Sequence, residues 1–124
     1  IAYNLKWSIE NIEKDFGFSI QTLKITGGGS QNDTCMQCFA NILERNIVTT
    51  SHPKHAGALG AAICAMVGDG ALKDFDEIHK IIHIQKTFNP DLSSKEVYNT
   101  LYLSYKKIYH QLKRPYIFIN KERF

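Results

Sequence analysis

A run of glycines followed by polar residues is the segment of this sequence best suited to bind a ligand. Glycine lacks a Cβ atom, so the backbone at residues 27–29 can turn sharply and approach a ligand closely. A helix that starts after such a turn presents unpaired amides and the positive end of its dipole, which together suit phosphate. The polar residues that follow can cap that helix or bond to the ligand. The candidate binding residues are Gly27, Gly28, Gly29, Ser30, Asn32 and Asp33.

The glycine run by itself leaves two interpretations open. It lacks the Lys-Ser/Thr pair of a P-loop and the glycine spacing of a dinucleotide fingerprint. A tight strand-to-helix turn that binds nothing would have the same composition. The choice therefore depends on the elements around the turn.

Those elements form a predicted βα unit repeated twice. Apolar residues at helical spacing predict a helix over residues 2–15, which ends near Gly17. We expect a strand at residues 23–26, a helix at residues 32–44 and a second strand at residues 47–50. A helical crossover makes the two strands parallel. Two short parallel strands do not complete a sheet, so we expect a portion of a larger, helix-rich α/β fold.

The segment after the second strand is predicted to be a loop and then a helix of small residues. Pro53 breaks regular structure within residues 51–55, and residues 56–67 form the helix. Its two interior glycines each cost about 1 kcal/mol relative to alanine, which is tolerable if they allow a close backbone approach. Cys64 on this helix is expected to be a buried apolar residue.

Two apparent capping boxes, at residues 74–77 and 93–96, predict the starts of the last two helices. The final helix is expected to end before Pro115. Its inward face is predicted to contain Val97, Tyr98, Leu101, Tyr105, Ile108 and Leu112. Residues 114–124 are expected to form a loose C-terminal tail.

Three blocks of sequence, at residues 25–33, 36–43 and 56–62, occur in this order and at a characteristic separation. In combination they resemble the C-terminal region of the FGGY carbohydrate kinases, which include xylulokinase, gluconokinase and glycerol kinase. Residues 88–90 and the tyrosine-rich stretch behind them are most similar to the xylulokinase branch. The resemblance covers residues 1–113.

This resemblance implies an actin/hexokinase-like (ribonuclease H-like) ATPase fold, in which two lobes close over ATP, Mg²⁺ and a sugar. It implies that the chain is the nucleotide-binding C-terminal part of an ATP-dependent kinase for a sugar, with a pentulose such as xylulose favoured. It places Gly28, Gly29 and Ser30 at the phosphate-proximal turn, and Asn32 and Asp33 near the adenine. The family's catalytic base, sugar-binding residues and Mg²⁺ ligands have no match here, so we expect the chain to be inactive alone.

The composition narrows the class of protein. The net charge of +3 is dispersed among acidic residues, without the basic run that favours nucleic acid. No apolar stretch approaches the roughly 20 residues of a membrane span. Three cysteines are an odd number, typical of free thiols in the cytoplasm. The helical spacing of apolar residues starts at the beginning of the sequence with no capping residue before it, which indicates a piece of a longer protein. The surface that would pack on the rest of that protein is then exposed, which favours a homodimer.

Several other patterns have alternative interpretations. Cys35 and Cys38, with His52 and His55, approximate a zinc-finger spacing, but both cysteines fall on a predicted helix rather than a hairpin. The same cysteines do not begin a helix as a thioredoxin-type motif does. The histidines four residues apart at 79 and 83 lack a nearby carboxylate and fit a surface or core edge better than a metal site.

The tyrosines of the last helix, at helical spacing, are predicted to be a packing surface rather than a base-stacking platform. They are Tyr98, Tyr102, Tyr105 and Tyr109. A second functional class also stays open: a non-catalytic helical interaction module whose glycine turn is only structural.

Overall fold

A computed structural model describes residues 1–121, which form a three-stranded sheet with four α-helices. The helices and strands are α1 (Ala2–Phe16), β1 (Thr22–Ile25), α2 (Asp33–Leu43), β2 (Asn46–Thr50), α3 (Ala56–Gly68), β3 (Ile84–Phe88) and α4 (Lys95–Asn120). Short 3-10 helices span Gly28–Gln31, Pro53–His55, Phe75–Lys80 and Leu92–Ser94. Within the described part of the chain, no helix combines the length and apolar character needed to span a membrane.

The sheet has the order β1-β2-β3. β1 and β2 are parallel, with Leu23 opposite Ile47, which confirms the predicted parallel pair. β3 runs antiparallel to β2, with Phe88 opposite Ile47 and an irregularity between Thr49 and Thr50. β3 was not predicted from the sequence, because four of its five residues are exposed and an exposed edge strand lacks apolar alternation.

The core lies between α1, α2 and one face of the sheet. Ile9, Met36, Ala40, Leu43 and Ile47 form its buried cluster. The helices predicted over residues 2–15 and 32–44 are confirmed as α1 and α2. Each large aliphatic side chain buried there contributes about 1.5–3 kcal/mol relative to exposure. This packing fixes α2, and with it the direction in which the glycine turn faces.

The ends of α1 and α2 both use the left-handed backbone region. Gly17 ends α1 with φ of +69° and donates its amide to the carbonyl of Glu13, as predicted for a terminating glycine. Glu44 ends α2 with φ of +56°, although it is not a glycine. Its carboxylate accepts a hydrogen bond from Lys6, which is only 7% exposed, and is paired with Lys95. These contacts tie α1, α2 and α4 together and account for an acidic residue at that position.

α4 packs on α1 through its tyrosines. Tyr102 and Tyr105 lie 5.9 Å from Tyr3 between ring centroids, and Tyr109 makes an edge contact at 5.0 Å with Trp7. The predicted tyrosine packing surface is confirmed for these three residues of α4. The predicted inward face is wrong at four aliphatic positions, because the tyrosines turn toward α1 and rotate these side chains outward. The exposed residues are Val97, Leu101, Ile108 and Leu112.

Neither predicted capping box forms, although the helix start predicted at residues 93–96 is confirmed by α4. Residues 74–77 begin a 3-10 helix, in which Asp74 accepts from the amide of Asp76 rather than capping an α-helix. Asp91 accepts from the amide of Ser93, and α4 starts at Lys95 without a side-chain cap. At each expected helix start, an aspartate side chain accepts from the backbone amide two residues on. This short turn forms in place of the expected capping box.

The predicted end of the last helix before Pro115 is also wrong. α4 continues through Pro115 to Asn120, so residues 116–120 are helical rather than a loose tail. Proline removes one amide donor from a helix interior, at a cost of about 3 kcal/mol. The surrounding residues are exposed, so water can satisfy the carbonyl left without a partner. Residues 122–124 of the expected tail lie outside the described residues.

α3 covers the other face of the sheet only in part. Ala56, Leu59 and Gly60 of α3 border a cavity of about 160 Å³ that Thr26 and Thr50 also line. A methyl group placed on Gly57 or Gly60 would meet nothing within 4 Å, so the expected close backbone approach is not made within the described residues. Cys64 is exposed, and the prediction that it is buried is wrong.

Candidate functional site

The glycine turn between β1 and α2 is held closed by its own backbone and by one serine. Gly27 has φ of +99°, a backbone conformation that residues with a side chain rarely adopt. Ser30 is 4% exposed and donates both its amide, at 3.1 Å, and its hydroxyl, at 2.8 Å, to the carbonyl oxygen of Gly27. The amide of Gly27 donates to the carbonyl oxygen of Pro53, at 3.1 Å. Ser30 therefore shapes the turn, and the backbone is left to face a ligand.

The start of α2 completes the turn. Asn32 is the N-cap, and its side-chain oxygen accepts from the amide of Cys35 at 2.9 Å. The first amides of an α-helix have no acceptor within the helix, so those of Asp33 and Thr34 point out of its end. Gly28 and Gly29 are exposed beside them. Exposed glycine amides and a helix N-terminus together can bind an anion.

A cavity of about 160 Å³ lies beside this turn. Its lining comes from the turn and α2 (Ser30, Gln31 and Asp33), from β2 and the following turn (Thr49 and Pro53) and from β3 (Gln85 and Lys86). The structure thus brings Ser30 and Asp33 into one cavity, while Asn32 uses its side-chain oxygen as a cap. The residues that β2 and β3 contribute to the lining were not predicted from the sequence.

Lys86 is the charged residue that the sequence analysis missed. Its ammonium nitrogen lies 2.8 Å and 2.6 Å from the two carboxylate oxygens of Asp33. Lys86 stands opposite Thr49 in the register of β2 and β3. Lys86 could have been located only from the pairing of β3 with β2. Thr49, which stands opposite Lys86, also stands opposite Ile25 at the end of β1, next to the glycine turn.

The small-residue helix lies next to the glycine turn. α3 begins directly after the 3-10 helix Pro53–His55, whose first residue accepts the hydrogen bond from Gly27. The blocks at residues 25–33 and 56–62, distant in sequence, are therefore neighbours in space. Their joint presence in the sequence reflects one structural unit.

The remaining patterns do not converge on this turn. Cys35 and Cys38 lie on α2, as predicted, and His52 and His55 flank Pro53 beyond β2. The Nδ1 atom of His79 lies 2.7 Å from the carbonyl oxygen of Asp76, within the 3-10 helix Phe75–Lys80. Across residues 1–121, no three His, Cys, Asp or Glu side chains are grouped so that they could hold a metal ion.

A family model decides the classification. The C-terminal domain of the FGGY family of carbohydrate kinases matches residues 1–68, which is more than half of the chain. The chain belongs to this family. The match spans the glycine turn, α2, β2 and α3, and so includes all of the cavity lining except Gln85 and Lys86 of β3.

Relatives of this FGGY domain are known in sequence and in structure. Glycerol kinases from Haemophilus influenzae (strain PittEE) and Enterococcus casseliflavus are 36% and 35% identical over 107 residues, which are 86% of this chain. A ligand-bound xylulose kinase and a gluconate kinase, both from Lactobacillus acidophilus, each superpose with a TM-score of 0.78 and 28% identity over 90% of this chain. These solved structures confirm the expected helix-rich α/β fold.

The chain spans about a fifth of its relatives, 21% of the glycerol kinases and 22% of the two Lactobacillus kinases. Its similarity is to both the glycerol kinases and the kinases of sugars and sugar acids. The expected membership in the FGGY family, through its C-terminal domain, is confirmed, and the narrower assignment to the xylulokinase branch stays a prediction.

Proposed function

We propose that this FGGY domain supplies the nucleotide-binding part of an ATP-dependent carbohydrate kinase, which transfers the γ-phosphate of ATP to a sugar hydroxyl. The observation that carries the proposal is the glycine turn at the N-terminus of α2, in a chain of this family. Phosphoryl transfer depends mainly on positioning and on stabilisation of charge. The exposed amides of Gly28 and Gly29, with the dipole of α2, supply part of both.

The side chains have separate roles in this proposal. Gly27 and Ser30 set the geometry of the turn through the contacts described above. Asn32 and Asp33 lie at the start of α2, where they would contact the adenosine part of ATP or ADP. Mg²⁺ would neutralise phosphate charge during transfer, and its ligands would come from outside this chain, as would the catalytic base.

The proposed substrate is a pentulose such as xylulose. Its support is the resemblance of residues 88–90 and the tyrosine-rich α4 to the xylulokinase branch, together with the TM-score of 0.78 to a xylulose kinase. The glycerol kinase relatives give the competing choice. The homodimer and the cytoplasmic location expected from the sequence stay predictions.

Direct binding of ADP tests the nucleotide assignment. Equilibrium dialysis of the folded chain against radiolabelled ADP should give saturable binding with one site per chain. An equal concentration of xylulose 5-phosphate, which carries phosphate without adenosine, should compete poorly. A chain that is folded by circular dichroism but binds no ADP at millimolar concentration would contradict the proposal, and would leave the interaction-module interpretation.

An activity assay tests the expectation that the chain binds nucleotide but does not catalyse phosphoryl transfer alone. The chain alone should show no xylulose-dependent hydrolysis of ATP and form no sugar phosphate, because the family resemblance matches none of its residues to the catalytic base or the Mg²⁺ ligands. Glycerol should be tested in parallel as the substrate named by the relatives. Sugar-dependent turnover by the purified chain would refute the expectation that it is inactive alone.

A further inference from the structure

An ion pair lies at the edge of the cavity beside the glycine turn. Lys86 of β3 and Asp33 at the start of α2 are joined through both carboxylate oxygens, at 2.8 Å and 2.6 Å. Their side chains are 49% and 55% exposed, so a ligand can reach both. They share the cavity lining with Ser30, the residue that holds the turn closed.

The acidic partner of this pair stands where the proposed ligand must approach. The N-terminus of α2 favours an anion, and the carboxylate of Asp33 is an anion fixed at that end of the helix. Without compensation it would repel the phosphates of a nucleotide by Coulomb interaction. The ammonium group of Lys86, in direct contact with the carboxylate, supplies the compensating charge.

We propose that Lys86 is a positioning residue for nucleotide, which neutralises Asp33 and thereby lets the phosphates of ADP or ATP approach the glycine turn. This inference rests on the nucleotide-binding function proposed above. The mechanism is electrostatic, so its effect grows with the number of phosphates on the ligand and shrinks as salt is added.

A purely structural role accounts poorly for the pair. Ion pairs this exposed contribute about 0–1 kcal/mol to folding. β3 is held in place by backbone pairing with β2, in which Lys86 stands opposite Thr49. Replacement of Lys86 should therefore leave the strand and the fold intact, which makes its effect on the ligand measurable.

Four variants of the full chain separate charge from structure: Lys86→Gln, Lys86→Arg, Asp33→Asn and the double variant Asp33→Asn/Lys86→Gln. Binding of AMP and of ADP is measured by equilibrium dialysis at low and at high salt. We expect Lys86→Gln to weaken ADP binding by about three- to tenfold and AMP binding by less. Lys86→Arg should bind like the unmodified chain. Asp33→Asn keeps a polar side chain of the same shape for the adenosine contact and removes only the negative charge, so it should bind ADP more tightly.

The double variant is the decisive comparison, because removing both charges should restore ADP binding to within about twofold of the unmodified chain. Lys80→Gln, which breaks the exposed pair with Glu77 outside the cavity, serves as the matched control and should not alter binding. Equal losses for AMP and ADP, no loss in Lys86→Gln, or no recovery in the double variant would overturn the inference. Failure of the unmodified chain to bind ADP would instead refute the proposed function.

Discussion

Substitution of Gly28 by alanine should have opposite effects on folding and on nucleotide binding. A Cβ atom built on Gly28 meets nothing within 4 Å, and its φ lies outside the left-handed region. The methyl group therefore fits the folded chain without a clash. Because alanine also restricts the unfolded chain, the free energy of unfolding should stay unchanged or rise by about 0.4–1 kcal/mol.

The same open space is where the phosphates of a nucleotide would approach the backbone. A methyl group there would displace the ligand from at least one amide. A hydrogen bond to a charged group is worth about 1.5–3 kcal/mol. Each 1.4 kcal/mol changes affinity by about tenfold. We therefore expect Gly28→Ala to weaken ADP binding by about ten- to a hundredfold.

The assay pairs urea unfolding, followed by circular dichroism, with equilibrium dialysis of ADP on the same preparations. Gly68→Ala is the matched control, because Gly68 also has open space around its Cβ position but lies at the far end of α3. The control should bind ADP like the unmodified chain. Unchanged ADP binding in a folded Gly28→Ala variant would refute the reasoning that the turn approaches the phosphates.

Three further predictions concern stability and are checked by urea unfolding. Leu43 is fully buried in the core, so Leu43→Ala should lower the free energy of unfolding by about 2–5 kcal/mol, and a smaller loss would contradict the packing described. The hydroxyl of Tyr102 donates to Glu10 at 2.6 Å, so Tyr102→Phe should cost about 1 kcal/mol, and an unchanged midpoint would argue against the bond. The pKa of Glu13 is lowered because its carboxylate accepts the amide of Ile20 and is paired with a guanidinium group. That stabilisation is present above the unfolded-state pKa and is lost as the pH falls through the lowered folded-state pKa. Glu13→Gln should therefore reduce the loss of stability on acidification, and an identical pH dependence in the two proteins would contradict this.

Three of the elements that the sequence predicted have a clear buried face. α1, α2 and β2 carry apolar residues at regular spacing because each packs on the core. β3 has no such pattern, since it is an exposed edge strand held by backbone hydrogen bonds. α4 has apolar residues around most of its circumference, so periodicity could not determine which side faces α1, and the tyrosines occupy that side.

The candidate site likewise has a part that the sequence predicted and a part that it did not. The glycine turn could be identified from composition, because only glycine readily adopts the φ of Gly27 and leaves the backbone of Gly28 and Gly29 open. Lys86 could not be found, because its place beside Asp33 depends on the pairing of β2 with an unpredicted strand. Local chemistry was thus visible in the sequence, whereas contacts that depend on sheet register were not.

The most direct test of nucleotide binding at the glycine turn is a titration of the ¹⁵N-labelled chain with ADP, followed by NMR of the backbone amides. The amides of Gly28, Gly29 and Asp33 should shift in a saturable manner, while those of Gly17 and Gly70, in turns elsewhere, should not move. Shifts that cluster instead around α4 near Tyr116, or a spectrum that ADP leaves unchanged, would contradict the assignment of this turn as a nucleotide site.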